Sequence, residues 1–284
     1  MTTVLYRGPQ LPLEWMAAHG LPLAPLLLHP GGDATGHAGM CPHAEALLRE
    51  AGAFDGALVV LAGACDQIRR AAANVAAGSS RDTLFLFHVP ATRGPAATRF
   101  YRDECLRLSR FLVRWGGTVP ALDAVPAPLT DTRTPRHGPG VPIAVVGGPL
   151  LAGHEELYAA IERFGGAVAA DGIEGGERTR PRFSTDAPFR DLLDAVIAAR
   201  FDAIPDVFHR PNDALCDWLS ECVTERGIRG LLCVSYTWCD LWRVEQRHLA
   251  AAVELPALFL ELDGETCLSV RTLTRIEAFL ESIS

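Results

Sequence analysis

Six short apolar runs, each closed by turn residues and separated by longer amphipathic stretches, restrict this chain to folds that alternate strands with helices. The runs 57–62, 84–89, 143–146, 167–170, 230–234 and 257–262 read as buried strands. The stretches 42–51, 66–77, 96–115, 155–164, 187–200, 213–226 and 240–253 read as helices, several of them ending near Gly. Such alternation implies parallel sheets with helices on their faces. The expected class is α/β, with two small, open, mostly parallel, Rossmann-like sheets.

Between Gly116 and Pro142 the chain carries Pro120, Pro126, Pro128, Pro135 and Pro139 and no apolar period, so neither a helix nor a central strand can persist there. This places an N-terminal α/β domain over 1–116, a Pro/Gly-rich linker over 117–141 and a C-terminal α/β domain over 142–284. The final helix has a start signal of its own, Thr274 followed by Glu277.

A net charge of -8 argues against nucleic acid or an anionic membrane as a partner, since both need concentrated positive charge. All 26 basic residues are Arg, so the rigid guanidinium is the cation on hand for phosphate or carboxylate. The start shows no basic segment leading into an apolar one, and no apolar run approaches the roughly 20 residues that span a bilayer. A cytoplasmic location is expected. In that setting eight cysteines point to metal chemistry and buried thiols more than to disulfides.

Two cysteines stand in the same context. Cys65 follows the run ALVVLAG and precedes DQIRRAAANV; Cys239 follows GLLCVSY and precedes DLWRVEQRHL. A strand, Cys-Asp and then a helix puts a thiol at the carboxyl end of a parallel strand, where open α/β sheets bind ligands. The N–H groups and dipole of the helix start would lower the thiol pKa there, and Asp66 and Asp240 suit capping positions. Cys41, ahead of Pro42 and HAEALLRE, offers a third thiol at a helix start. No Cys-x-x-Cys pair occurs, which excludes a metal loop of local ligands and leaves ligands converging across a cleft. On residues alone, an iron-sulfur cluster, zinc and no metal all remain open. Cys105, Cys216, Cys222, Cys233 and Cys267 read as structural.

His43, two residues after Cys41, and His88, ending LFLFHV, are the candidate proton-handling residues. His209 is a weaker one. Arg178, Arg180 and Arg182 are candidates for gripping phosphate groups through bidentate contacts. There is no Walker A motif and no GxGxxG, so the sequence offers neither a P-loop nor a dinucleotide fingerprint.

The segments FDGALVVLAGACDQIRR, SYTWCDLWRVEQRHL, LPALFLELDGE and TRIEAFLE resemble the 2-hydroxyacyl-CoA dehydratase and benzoyl-CoA reductase superfamily, as do MCPHAEALL, HVPATRGPAATRFYRDECLRL and GGPLLAGHEELYAAIERFGGAVAADGI. The resemblance implies one [4Fe-4S] cluster between two domains, held by Cys41, Cys65 and Cys239. It implies an acyl-CoA or aromatic-CoA substrate, pairing with a homologous subunit, and one-electron reduction by a separate ATP-hydrolysing iron-sulfur activator. In the dehydratase branch an electron added to the thioester carbonyl gives a ketyl radical anion that expels the 2-hydroxyl group. In the benzoyl-CoA reductase branch electrons enter an aromatic ring. An accessory electron-transfer subunit is the alternative from a different class. The chain lacks the family's Gly-Gln ahead of Thr274-Arg275, having Val270 and Arg271 there.

Overall fold

The computed structural model describes residues 2–31, 39–54, 56–77, 82–121, 123, 138–183 and 191–284. Most of the expected linker and the start of the helix expected over 187–200 lie outside these. The elements run β1 (Val4–Arg7), α1 (Leu13–Ala17), β2 (Leu23–Pro25), α2 (Pro42–Glu50), β3 (Leu58–Ala62), α3 (Asp66–Ala77), β4 (Leu84–Phe87) and α4 (Pro95–Arg114). Then come β5 (Val141–Gly147), α5 (Glu156–Arg163), β6 (Gly166–Gly172), α6 (Leu192–Ile197), α7 (Asp213–Arg226), β7 (Gly230–Tyr236), α8 (Asp240–Val253), β8 (Ala257–Leu262) and α9 (Val270–Ser282). They build two four-stranded sheets, ordered β2-β1-β3-β4 and β6-β5-β7-β8. Every strand pairing in both is parallel, as the strand–helix alternation demands.

The chain divides into two compact units that are not contiguous in sequence. One comprises 1–26, 47–131 and 180–211; the other comprises 27–46, 132–179 and 212–284. Hydrogen bonds and ion pairs explain both crossings. Arg102 forks onto Asp191, at 2.6 Å, and also reaches Asp194, which ties the α6 segment to α4. Segment 27–46 joins the second unit through backbone bonds, Ala152 N donating to Leu28 O and Gly31 N to Gly264 O. Cys41 therefore groups with the second unit, and α2 runs from that unit into the first.

In the first unit, α4 starts with Pro95 at its first position and buries Tyr101, Cys105, Leu108 and Leu112, a helical stripe. These pack with Trp15 and Met16 of α1, Leu58, Val60, Phe85 and Phe87 of the sheet, and Val196 of α6. Each fully buried apolar side chain of this size contributes about 1.5–3 kcal/mol. The Tyr101 ring lies 5.0 Å from Phe87 and 4.8 Å from Phe201, and its hydroxyl donates to Gln10 O at 2.5 Å.

His209 sits inside this unit, 1% exposed, edge-on to Phe201, with Gln10 Nε2 donating to its Nδ1 at 3.2 Å. Burial lowers its pKa to about 4, against the raising effect of Asp206. A neutral buried imidazole means that, as pH falls below the unfolded value near 6.5, the unfolded chain takes up a proton that the folded chain refuses. Stability is therefore expected to be full above that value and to decline between it and about pH 4. The His209 contribution to the loss is about 3 kcal/mol, read as the part of the urea-midpoint slope that His209→Gln removes.

In the second unit β6 and β7 are buried along their whole length. Burial on both faces is what a parallel sheet covered on each side shows, and the one carboxylate inside β6, Asp171, accepts from the Tyr158 hydroxyl. α5 packs with α9, and α7 with α8. The last helix begins earlier than its sequence signal suggests. Ser269 is its capping residue, accepting from Thr272 N at 3.2 Å, so Thr274 and Glu277 lie within the helix. Among the described residues, no helix is long and apolar enough to cross a membrane.

Candidate metal centre

β7 delivers Cys239. The strand ends at Tyr236, the chain turns through Thr237 and Trp238, and Cys239 N donates back to Tyr236 O at 3.0 Å. Cys239 itself occupies the capping position of α8, one residue before the Asp240 that composition favours for it, while Asp240 adds negative charge in the first turn. Both N and Oγ1 of Thr237 donate to Leu262 O, at 2.9 and 3.3 Å, binding the turn to the end of β8.

A histidine that sequence reading passes over secures the same turn. His154 Nε2 lies 2.6 Å from Glu265 O and Nδ1 lies 2.8 Å from the Tyr236 hydroxyl, which also accepts from Leu151 N at 2.8 Å. A carbonyl only accepts, so Nε2 donates to Glu265 O. The members of this set come from the loop after β5, the end of β7 and the loop after β8, and His154 lies 82 and 111 residues from its two partners, which leaves no local trace.

Trp238 pays for this geometry with φ of 66°, in the left-handed region, at the second central position of a turn where glycine is usual. Its indole is 52% exposed, so core packing does not hold it there. Left-handed backbone costs a non-glycine residue about 1–2 kcal/mol. Trp238→Gly is accordingly expected to stabilise the protein by about 1 kcal/mol, measured by urea unfolding.

Cys65 stands between β3 and α3, partly exposed. Burial pushes its thiol above the ordinary range, outweighing the N–H groups of Ile68 and Gln67 that favour the thiolate. Here desolvation wins over the helix start, contrary to the expectation of a lowered value, and a thiolate needs a cation to hold it. Cys41 is buried just before α2. A Cβ on Gly264 would come within 3.0 Å of Pro42 Cβ, so the loop after β8 presses on the start of α2. Cys41 and Cys239 thus share the carboxyl end of the second sheet, while Cys65 ends a strand of the first. A cavity of about 440 Å³ opens at that end of the second sheet, lined by His154, Thr237, Asp263, Glu265, Arg271 and Arg275 among others.

The structure describes all eight cysteines as free thiols. Among the described residues, no three His, Cys, Asp or Glu side chains gather closely enough to hold a metal ion. The donor set still fits an iron-sulfur group in its chemistry: three unbridged thiols, each at a helix start, two of them partly open to solvent. His43 is buried in the first turn of α2. His88 is exposed after β4, its backbone N donating to Glu104 Oε2 at 2.9 Å. Arg178 does not reach for phosphate. It is 1% exposed, its Nε donates to Gly172 O at 2.7 Å, and it stacks 5.3 Å from the Trp242 ring.

Parallel α/β sheets with thiols at strand ends describe a class, that of open-sheet proteins binding at their carboxyl edge. Within it, the family profile described as 2-hydroxyglutaryl-CoA dehydratase, D-component, matches residues 119–283, more than half of the chain. The chain belongs to this family. No curated protein matches it. Among solved structures it is similar to the SBP FpvC of Pseudomonas aeruginosa, in complex with Ni2+ at 13% identity and TM-score 0.28, and with Mn2+ at 12% and 0.24. Each match covers 100% of this chain and 98% of that one, and at such TM-scores neither likeness carries an argument.

Proposed function

We propose that the chain is the [4Fe-4S] subunit of a low-potential enzyme acting on a CoA thioester, removing water from a 2-hydroxyacyl-CoA. Cys41, Cys65 and Cys239 hold the cluster, which supplies one-electron chemistry. The observation that carries this reading is the Cys239 thiol, at the capping position of α8 and at the carboxyl end of β7, inside the family-matched segment. The pinned turn from Tyr236 to Cys239 fixes that thiol, and the helix start favours an anionic group beside it. His43 and His88 are proposed to handle protons. A separate ATP-hydrolysing iron-sulfur activator supplies the electron, and a homologous subunit completes the enzyme, which is proposed to be cytoplasmic and oxygen-sensitive.

The test follows from the pairing of cluster and substrate. On protein purified without oxygen, alone and with its partner subunit, a 2-hydroxyacyl-CoA is expected to alter the electron paramagnetic resonance of the reduced cluster. A cluster whose signal ignores every CoA thioester would sink the substrate assignment while leaving the metal assignment intact.

A further inference from the structure

β8 is an edge strand, and half of its backbone is paired. Leu231 N donates to Pro256 O and Thr237 N to Leu262 O, so the even-numbered residues of β8 face β7. In a parallel ladder the pairing alternates along the strand. The N–H and C=O groups of Ala257, Phe259 and Glu261 therefore point away from the sheet. The one bond described on them is from the Arg275 guanidinium to Phe259 O, at 2.7 Å. The opposite edge is treated differently: Ala169 O and Gly172 O of β6 accept from the side chains of Arg226 and Arg178. β8 has no proline and no bulge, two devices that discourage strand addition, and Glu261 is its one charged residue.

The side chains beside this edge are apolar and open. Val244 of α8 is 55% exposed and Phe259 37%. They line a groove of about 620 Å³ together with Arg243, Arg247, His248 and Glu261.

We propose that two copies of this chain pair through their β8 edges, antiparallel about a two-fold axis at Phe259. Each Phe259 N–H then donates to the other copy's Phe259 carbonyl, whose second lone pair still accommodates Arg275. Ala257 exchanges backbone bonds with Glu261 of the second copy. An axis normal to the sheet keeps both α8 helices on one face, so the Phe259 and Val244 side chains close the groove on their own counterparts.

Charge is what selects a second copy as the occupant. α8 connects two parallel strands and so runs opposite to β8. Its Arg247 and His248 lie toward the amino end of β8, and Glu261 lies toward the carboxyl end, where Arg243 Nε is 3.7 Å away. Antiparallel pairing brings Glu261 of each copy toward Arg247 and His248 of the other, a self-complementary pattern that an isologous interface requires. The inference stands on this edge and holds whether or not a metal is bound.

Sedimentation velocity over a range of concentrations tests it. The protein is expected to dimerise. Glu261→Arg should weaken the dimer about tenfold by removing two contacts and adding two repulsions, and Glu261→Arg with Arg247→Glu should restore most of that loss. Phe259→Pro removes an N–H that faces outward, so it should give a folded monomer by circular dichroism; if it fails to fold, the charge exchange decides. A wild-type chain that stays monomeric, or a dimer that the charge variants leave unchanged, would overturn the proposal.

Discussion

Protein purified without oxygen is expected to contain about four iron and four acid-labile sulfide atoms per chain, and the Cys239→Ala variant to retain less than about one of each. The effect should be this large because a cluster on the three proposed thiolates would depend on all of them, and Cys239 would present its thiol from a turn fixed by its surroundings. Its turn is bonded to Leu262 O, and Tyr236, at the head of the turn, is bonded to His154 and Leu151 N. Removing one thiol from a partly exposed capping position leaves that framework in place, so loss of iron without loss of circular dichroism isolates the ligand role. Cys216→Ser, within α7, should keep its iron. Well-folded wild-type protein that contains no iron would sink the cluster assignment.

The largest change in stability is expected at Glu14. Arg200 grips its carboxylate with two charge-assisted bonds, Nε to Oε2 at 2.9 Å and an amino group to Oε1 at 2.6 Å. The two side chains are only 1% and 4% exposed. Taking two charges out of water is costly, and their attraction offsets that cost only while both are present. Glu14→Ala leaves the guanidinium buried without this counter-ion and should destabilise the protein by about 3–5 kcal/mol, lowering the melting temperature by about 10 °C. Replacing both residues with methionine removes the charges together and should recover most of that loss. If Glu14→Ala unfolds within about 1 kcal/mol of wild type, the pair is solvated in solution and the argument fails.

Local chemistry was legible in the sequence, and long-range chemistry was not. β3 to β8 announce themselves as short, mainly apolar runs closed by turn residues. β1 and β2 do not, since VLYR and LAP are too short to show a period. The placement of Cys65 and Cys239 at strand ends follows from flanking runs alone. What depends on partners far along the chain was hidden: His154 with Tyr236, His209 with Gln10, and Arg178, whose polar, glycine-rich setting reads as surface although its partners are buried carbonyls. Thr274 and Glu277 have the spacing of a helix start, but Ser269 has its hydroxyl in position to accept from Thr272 N, and geometry decides.

The interleaving of the two units has a consequence for how the chain is made. Synthesis releases the amino-terminal residues first, yet the first unit lacks Leu193, Val196, Ile197 and Phe201 of its core until segment 180–211 has emerged. By then β5 and β6 of the other unit already exist, while segment 27–46 still waits for the loop around Gly264. A nascent chain halted just before Phe201 therefore holds no finished core, although more than two thirds of its residues have been made.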